Sequence, residues 1–268
     1  PDAVGGCPVD GANAAPVIEI FPMSPVQGQK LPVQLVKLKQ TGQVIIGFFL
    51  FHRTLFSLVL SYCTMFPSRK KAEEIWEQGI GYRLSRPYPY PLEKEYRFHT
   101  RGVAAAAEKI AARIPGMNGE KAYVLGLLHD YGKRIGEREE NRFHGQEGYE
   151  QMMFLGYPDV AQICLTHTFP DKNFDRGQYS FPDEWIEWAR EKLAGTVYTD
   201  YDYLIAFCDK LFEACEMVSI EKRIEAIVER YGLNADQRDL LYRESIGLKK
   251  YFDEKTGDDV YRILEIED

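Results

Sequence analysis

Cysteine is scarce here and poorly spaced for chemistry. Cys7, Cys63, Cys164, Cys208 and Cys215 form no CxxC pair, and their number is odd. That excludes a cysteine zinc knuckle and a disulfide framework, and leaves small buried hydrophobes in a reducing compartment. Cys208 and Cys215 share one face of a helical pattern but lie too far apart along its axis to be bridged. A basic stripe is also missing, and the net charge is -8. The chain therefore lacks the footprint of a nucleic-acid-backbone binder. A small anionic substrate stays open, because a metal ion can supply positive charge locally. There is no internal repeat, and beyond residue 67 no strand alternation of useful length. Histidine is equally sparse, with five in 268 residues and none after His167.

What is present is an ordinary globular composition, 45% hydrophobic and 28% charged, long enough for a sizeable core. Residues 1–64 differ from the rest. They carry Asp2, Asp10 and Glu19 against Lys30, Lys37, Lys39 and Arg53, so the acidic excess belongs to 65–268. Proline and glycine punctuate Pro1 to Pro32 without periodicity, which predicts an irregular, disordered stretch. An apolar run follows over Val44–Phe51, broken by His52-Arg53 and resumed over Leu55–Leu60. Val44 to Phe66 is long enough to span a bilayer, and the central Arg makes insertion marginal. Two readings stand beside each other: a membrane anchor over 44–66, or upstream sequence preceding a true start at Met65, with 1–64 not native to the domain. Apart from that anchor, a cytoplasmic protein is expected.

From Pro67 the periodicity is helical. Ser68 is an N-cap candidate for a first helix. Arg86-Pro87-Tyr88-Pro89-Tyr90-Pro91 reads as an extended connector. A second helix runs about Leu92 to Ile114, with His99 on the same face as Val103, Ala106, Ala107 and Ile110. Asn118 opens a third, apolar helix that ends at His129-Asp130. A polar loop over Glu137–Arg142 leads to a helix from His144 that stops before Gly156-Tyr157-Pro158. Another follows over Asp159–Thr168. Pro170–Phe181 is aromatic and irregular, a candidate substrate-covering loop. Helices are expected again over Pro182–Leu193, Asp200–Met217, Ile220–Tyr231 and Ala235–Phe252. The fold class is all-α, with a single domain over 65–268.

Four histidines (His99, His129, His144 and His167) sit within or at the mouths of these apolar helices, and Asp130 and Asp209 interrupt apolar faces. One inward histidine is usually a core residue with a hydrogen-bond partner. Four of them with two inward carboxylates would each need such a partner, and few are apparent. A shared metal site satisfies all six, because imidazole and carboxylate are the usual ligands of a divalent transition metal.

The ordered pattern H…HD…H…H…D resembles the HD-domain superfamily of metal-dependent phosphohydrolases. It is carried by His99-Thr100-Arg101-Gly102-Val103, Leu127-Leu128-His129-Asp130-Tyr131-Gly132-Lys133, His144-Gly145-Gln146-Glu147-Gly148, Ile163-Cys164-Leu165-Thr166-His167 and Phe207-Cys208-Asp209. Tyr131 departs from the small aliphatic residue often found between Asp and Gly. Thr168 stands where HD-GYP cyclic-di-GMP phosphodiesterases have a further His, and Gly156-Tyr157-Pro158 lies upstream of that position, so that subclass does not fit.

The resemblance implies a helical bundle with the site in its core. By position, His99, His129, Asp130 and Asp209 would hold a first metal, and His144 and His167 a second, with Asp130 bridging. One or two ions of Fe, Mn, Zn, Ni or Co would serve. The implied reaction is hydrolysis of a phosphate ester or anhydride of a small, nucleotide-like substrate, with Lys133 on a phosphate oxygen and Gly132 ending the helix. Arg101, Arg142 and Glu147 are near ligands in sequence and would touch substrate, orient ligands or stand solvated. A di-iron oxygenase using the same six ligands, and a nucleotide-sensing module without turnover, are the alternatives.

Overall fold

The computed structural model describes residues 66–85, 93–135, 143–174 and 181–266, together with the backbone of three strands at 17–22, 34–40 and 43–49. Contacts divide the chain into two compact units, Pro1–Cys63 and Thr64–Asp268.

In the first unit, β1 (Val17–Pro22), β2 (Gln34–Gln40) and β3 (Gln43–Phe49) form an antiparallel sheet in that order. Val17 pairs with Lys39 and Pro22 with Gln34; Gln34 in turn pairs with Phe49. Pro22 is tolerated at the end of an edge strand, where no ladder donor is needed. The irregular stretch expected over Pro1–Pro32 is therefore interrupted by a strand. Val17-Ile18-Glu19-Ile20-Phe21 is rich in β-branched residues, and its pairing partner lies outside any local window. The first part of the apolar run is strand β3, while 50–65 lie outside the described residues. Among the described residues no helix is long and apolar enough to cross a membrane.

The second unit is helical. Ser68 caps α1 (Arg69–Leu84) by accepting from the Lys71 amide, and Ala72, Ile75, Trp76 and Ile80 form its buried face. In α2 (Glu93–Ala111), Tyr96, Thr100, Val103, Ala104, Ala107 and Ile110 are buried. The buried indole of Trp76 donates to Thr100 Oγ1 at 2.9 Å, tying α1 to α2. Asn118 caps α3 (Gly119–Leu128), in which every residue from Ala122 to Leu128 is buried. A helix apolar all round belongs at the centre, and α3 is the element the others pack around. A 3-10 turn follows over Tyr131–Ile135.

Next come α4 (His144–Phe154) and α5 (Pro158–Thr166). Gly156 makes the turn between them at φ +83, and Pro158 opens α5. The chain continues through α6 (Asp183–Ala194), α7 (Asp200–Asp209), a hairpin of β4 (Phe212–Glu213) with β5 (Glu216–Met217), α8 (Ile220–Tyr231), α9 (Ala235–Thr256) and α10 (Val260–Leu264). A second, aromatic cluster gathers Phe143, Phe169, Phe174 and Ile186 beside Phe181 and Trp185.

Two expectations need correcting. The helix expected over Asp200–Met217 ends at Asp209 and gives way to the hairpin, so Cys215 leaves the helical face of Cys208. The Lys210 and Leu211 amides close on Phe207 and Cys208, and Val218 N returns to Leu211 O at 2.8 Å. These bonds stop the helix at Asp209, whose Oδ1 faces His99 and His129. At the other end α9 extends to Thr256, and α10 adds a further short helix. The connectors at 86–92 and 136–142 lie outside the described residues, as do 175–180 of the candidate covering loop. The described ends of that loop pack into the aromatic cluster.

Helices α2 and α3 approach backbone to backbone. A Cβ on Gly126 would lie 2.8 Å from Ala104 Cα. Helix propensity favours Ala over Gly by about 1 kcal/mol, whereas overpacking costs about 1–3 kcal/mol and here presses on backbone that cannot rotate away. Gly126→Ala is expected to destabilise the protein by about 1–2 kcal/mol. Gly247, an exposed α9 position with nothing within 4 Å of its added Cβ, gives the contrast: Gly247→Ala should stabilise by up to about 1 kcal/mol. Urea unfolding of both variants checks the pair.

Candidate metal centre

Helix ends build the site. His129 is the C-cap of α3 and His167 the C-cap of α5; Asp209 is the last residue of α7, and His144 is the first of α4. Only His99 comes from a helix interior. The last carbonyls of a helix are short of intrahelical donors, and two of these histidines add a side-chain donor, at Ile163 O beside the His167 amide that already reaches it at 3.1 Å. His129 Nδ1 donates to Gly126 O at 2.7 Å, and His167 Nδ1 donates to Ile163 O at 2.9 Å. With Nδ1 donating to a carbonyl, Nε2 is the nitrogen that each ring turns to the interior and would offer to a metal. The negative ends of three helix dipoles, α3, α5 and α7, therefore lie at the same place, which favours a cation there.

The six side chains form two groups that share Asp130. His99, His129, Asp130 and Asp209 bring ligand atoms within 4.8 Å of one another, and so do Asp130, His144 and His167. In the first group, Asp130 Oδ2 lies 3.4 Å from both His99 Nε2 and His129 Nε2, and Asp209 Oδ1 lies 3.0 Å from His99 Nε2. In the second, Asp130 Oδ1 lies 3.6 Å from His144 Nε2 and 3.5 Å from His167 Nε2. The carboxylate thus turns one oxygen to each group. It is 1% exposed, and its Oδ1 is buried with no hydrogen-bond partner.

These side chains fit a metal. The Nε2 atoms of His99 and His129 approach to 3.2 Å, and those of His144 and His167 to 3.4 Å. In the second group two imidazole nitrogens face the buried, unpartnered Asp130 Oδ1, which a cation among them would satisfy. A mixed imidazole and carboxylate set suits a divalent transition metal.

Electrostatics divide the histidines. Burial opposes charge on His129, but the Asp130 and Asp209 carboxylates outweigh it and push its pKa up to about 10. Burial drives His167 down to about 4, against the Asp130 carboxylate and helped by the neighbouring His129. Burial would raise Asp130, yet Lys133 and His129 hold it well below the usual carboxylate range. Asp209 is likewise held well below that range, despite burial, by His129 and His99.

Of the other residues singled out in the sequence, Lys133 is at the centre, its Nζ 2.6 Å from Asp130 Oδ2. Arg101 is not. Its guanidinium lies 4.5 Å over the Trp76 ring, at the mostly exposed edge of α2. Glu147 is neither solvated nor at the ligands: it is 7% exposed and takes a 2.6 Å bond from Arg134. Arg142 lies outside the described residues. Gly132 does not end α3, which stops at Leu128. A Cβ there would fall 1.8 Å from His144 O, so glycine lets the turn after Asp130 touch the start of α4.

Sequence reasoning missed the residues that position this set. The Tyr96 hydroxyl donates to Asp130 O at 3.3 Å, and buried Arg83 donates to Lys133 O. Phe212 packs edge-on to the His99 ring at 6.0 Å. A cavity of about 320 Å³ opens beside the first group, lined by Glu95, Tyr96, Phe212, Glu213, Arg223 and Arg230 together with His99, Asp130, Lys133 and Asp209. The Gly126 and Ile163 carbonyls did leave a signal, since they lie three and four residues before a histidine at a helix end.

A helical unit that draws four histidines and two aspartates into its core has the build of a metal-binding helical domain. Residues 96–214 match the family model described as the HD domain. That stretch contains every one of the six residues, and the His/Asp cluster of the helical unit is consistent with an HD-type metal site. Searches of curated proteins and of solved structures returned no match.

The opposed histidine shifts give the metal-free protein a characteristic pH response. His129, raised to about 10, contributes stability that is complete below its unfolded value and lost as pH climbs toward 10. His167, lowered to about 4, costs stability as pH falls below its unfolded value. The unfolded value for both is about 6.5. With chelator present, the contribution of this pair should peak near pH 6.5. His129→Gln should flatten the alkaline side, as read from thermal unfolding between pH 5 and 9.5. An unchanged alkaline slope in that variant would remove His129 as its source.

Proposed function

We propose that this chain is a metal-dependent phosphohydrolase acting on a phosphate ester or anhydride of a small nucleotide or phosphorylated metabolite. The observation that carries the reading is the position of Lys133. Its ammonium sits 2.6 Å from the carboxylate shared by both histidine groups, on the wall of the cavity that the first group also lines. A cation there meets an anion held against the centre.

In this reading His99, His129, Asp130 and Asp209 would hold one divalent ion, and Asp130, His144 and His167 a second. Bound ions of this kind lower the pKa of a coordinated water and offset charge on phosphoryl oxygens. The chain's own groups do the rest. The Gly126 and Ile163 carbonyls keep His129 and His167 in the tautomer that ligates. Lys133, with three donors on a flexible stem, holds a phosphoryl oxygen once Asp130 is engaged by metal. Tyr96 and Arg83 fix the backbone of Asp130 and Lys133, and Phe212 covers one side of His99. The same lysine can hold an anionic or hydroxylated substrate of an oxygenase, so phosphate release against oxygen uptake is what separates the two readings.

Asp130→Asn is expected to lose most bound metal, by elemental analysis. Its kcat/KM should fall more than about 100-fold, beyond the usual cost of changing an outer-shell residue. Full metal content in that variant would sink the shared-carboxylate arrangement. Lys133→Ala should keep its metal and lose about 10–100-fold in kcat/KM, the worth of a hydrogen bond to a charged group. Equal rates would return Lys133 to a solvated role. The substrates are p-nitrophenyl phosphate, its bis-ester and a nucleotide panel. Oxygen uptake by iron-loaded protein without phosphate release would favour the oxygenase instead.

A further inference from the structure

The hairpin after Asp209 carries a cluster that the proposed hydrolysis does not use. Strand neighbours point to opposite sides. Phe212 goes inward, onto His99 and against Gly102, where an added Cβ would fall 2.3 Å from its ring. Glu213 turns to α8 and is bonded by both Arg223 and Arg230. Those arginines are seven residues apart, two helical turns along one face. Two guanidiniums on one carboxylate leave a positive charge over. Arg223 is largely covered, with 18% of its side chain exposed, whereas 45% of the Arg230 side chain is exposed.

This cluster and the metal centre share one cavity. Its lining holds His99, Asp130, Lys133 and Asp209, and also Glu213, Arg223 and Arg230. At about 320 Å³ it is at the small end of the roughly 300–1,000 Å³ typical of ligand cavities. Lys133 is placed for a phosphoryl group at the centre. Arg223 and Arg230, carried on α8, are a second and separate source of positive charge. Guanidinium pairs are suited to phosphate because their planar donors can bind it through two oxygens. Glu213 holds the two heads together, and its own charge is covered by them. Glu95 is the remaining acidic side chain of the lining apart from Asp130 and Asp209.

We propose that Arg223 and Arg230 form a subsite for a second phosphate, so that the substrate carries two phosphoryl groups, as a diphosphate or a bisphosphate. The inference rests on the phosphohydrolase reading for what happens at the centre, but its binding step can be measured without turnover. Arg230 is the variant of choice, because its exposed side chain can be shortened with little cost to the fold.

The probes are inorganic pyrophosphate and orthophosphate, titrated calorimetrically into the full chain in its metal-loaded form. Arg230→Ala should weaken pyrophosphate binding about tenfold, equivalent to 1.4 kcal/mol, and at least fivefold more than it weakens orthophosphate binding. Arg230→Lys should recover part of the loss. Among substrates, KM for a nucleoside diphosphate should rise in Arg230→Ala by a larger factor than KM for p-nitrophenyl phosphate. Equal weakening of both anions, no change in either, or a parent protein that does not bind pyrophosphate would overturn the subsite. If pyrophosphate binds through Arg230 while no phosphate ester is hydrolysed, the subsite stands and the hydrolase reading fails.

Discussion

The interaction on which this structure depends is the burial of one ionised carboxylate among histidines. Asp130 is 1% exposed, and an isolated charge at that depth would neutralise itself rather than pay the desolvation cost. Its surroundings prevent this. Lys133 contacts one oxygen, and histidines surround both. Such a centre cannot be assembled piecemeal. Removing any one positive partner leaves the carboxylate underpaid for, so the elements that deliver those partners are bound to one another through it.

The helices converge on this point because of where they stop. The cluster takes its members from three helix C-terminal ends, one helix start and one helix interior, and small residues let those pieces approach. Gly126 lets α3 lie against the backbone of α2, and Gly132 lets the turn after Asp130 touch α4. The centre and the core are therefore one structure. The same approach that packs α2 on α3 sets His99 beside His129.

Function follows from what surrounds the centre rather than from the centre alone. Six ligands can serve hydrolysis or oxygen chemistry, and the choice between them lies in the cavity wall. That wall places Lys133, Arg223 and Arg230 around a space shared with His99 and Asp209. The same wall carries Glu95 and Glu213, so its cations sit among carboxylates, and the proposed phosphorylated substrate depends on Lys133 and the arginine pair within that mixed lining.

Much of the site was legible in the sequence. Helix caps at Ser68 and Asn118 are local events, read from a side-chain oxygen three residues before the amide it accepts from. The six histidines and aspartates stood out because each interrupts an apolar helical face where an unpartnered polar group is costly. Their spacing also carried the order of the HD pattern. What the sequence did not reveal was everything decided by non-local packing. Strand β1 forms because a distant segment pairs with it. The end of α7 at Asp209 coincides with the tight turn at Lys210 and Leu211 and the hairpin bond from Val218 N to Leu211 O, against a helical periodicity that runs on to Met217. Glu147 reads as a surface residue until Arg134 folds onto it, and Arg101 reads as a neighbour of the site until Trp76 draws it away. Arg223 and Arg230 look like ordinary charges on an amphipathic helix. Only the turn of the hairpin after Asp209 brings α8 to the cavity, because local residue pattern fixes which side chains a helix presents, while the packing of distant segments fixes what they face.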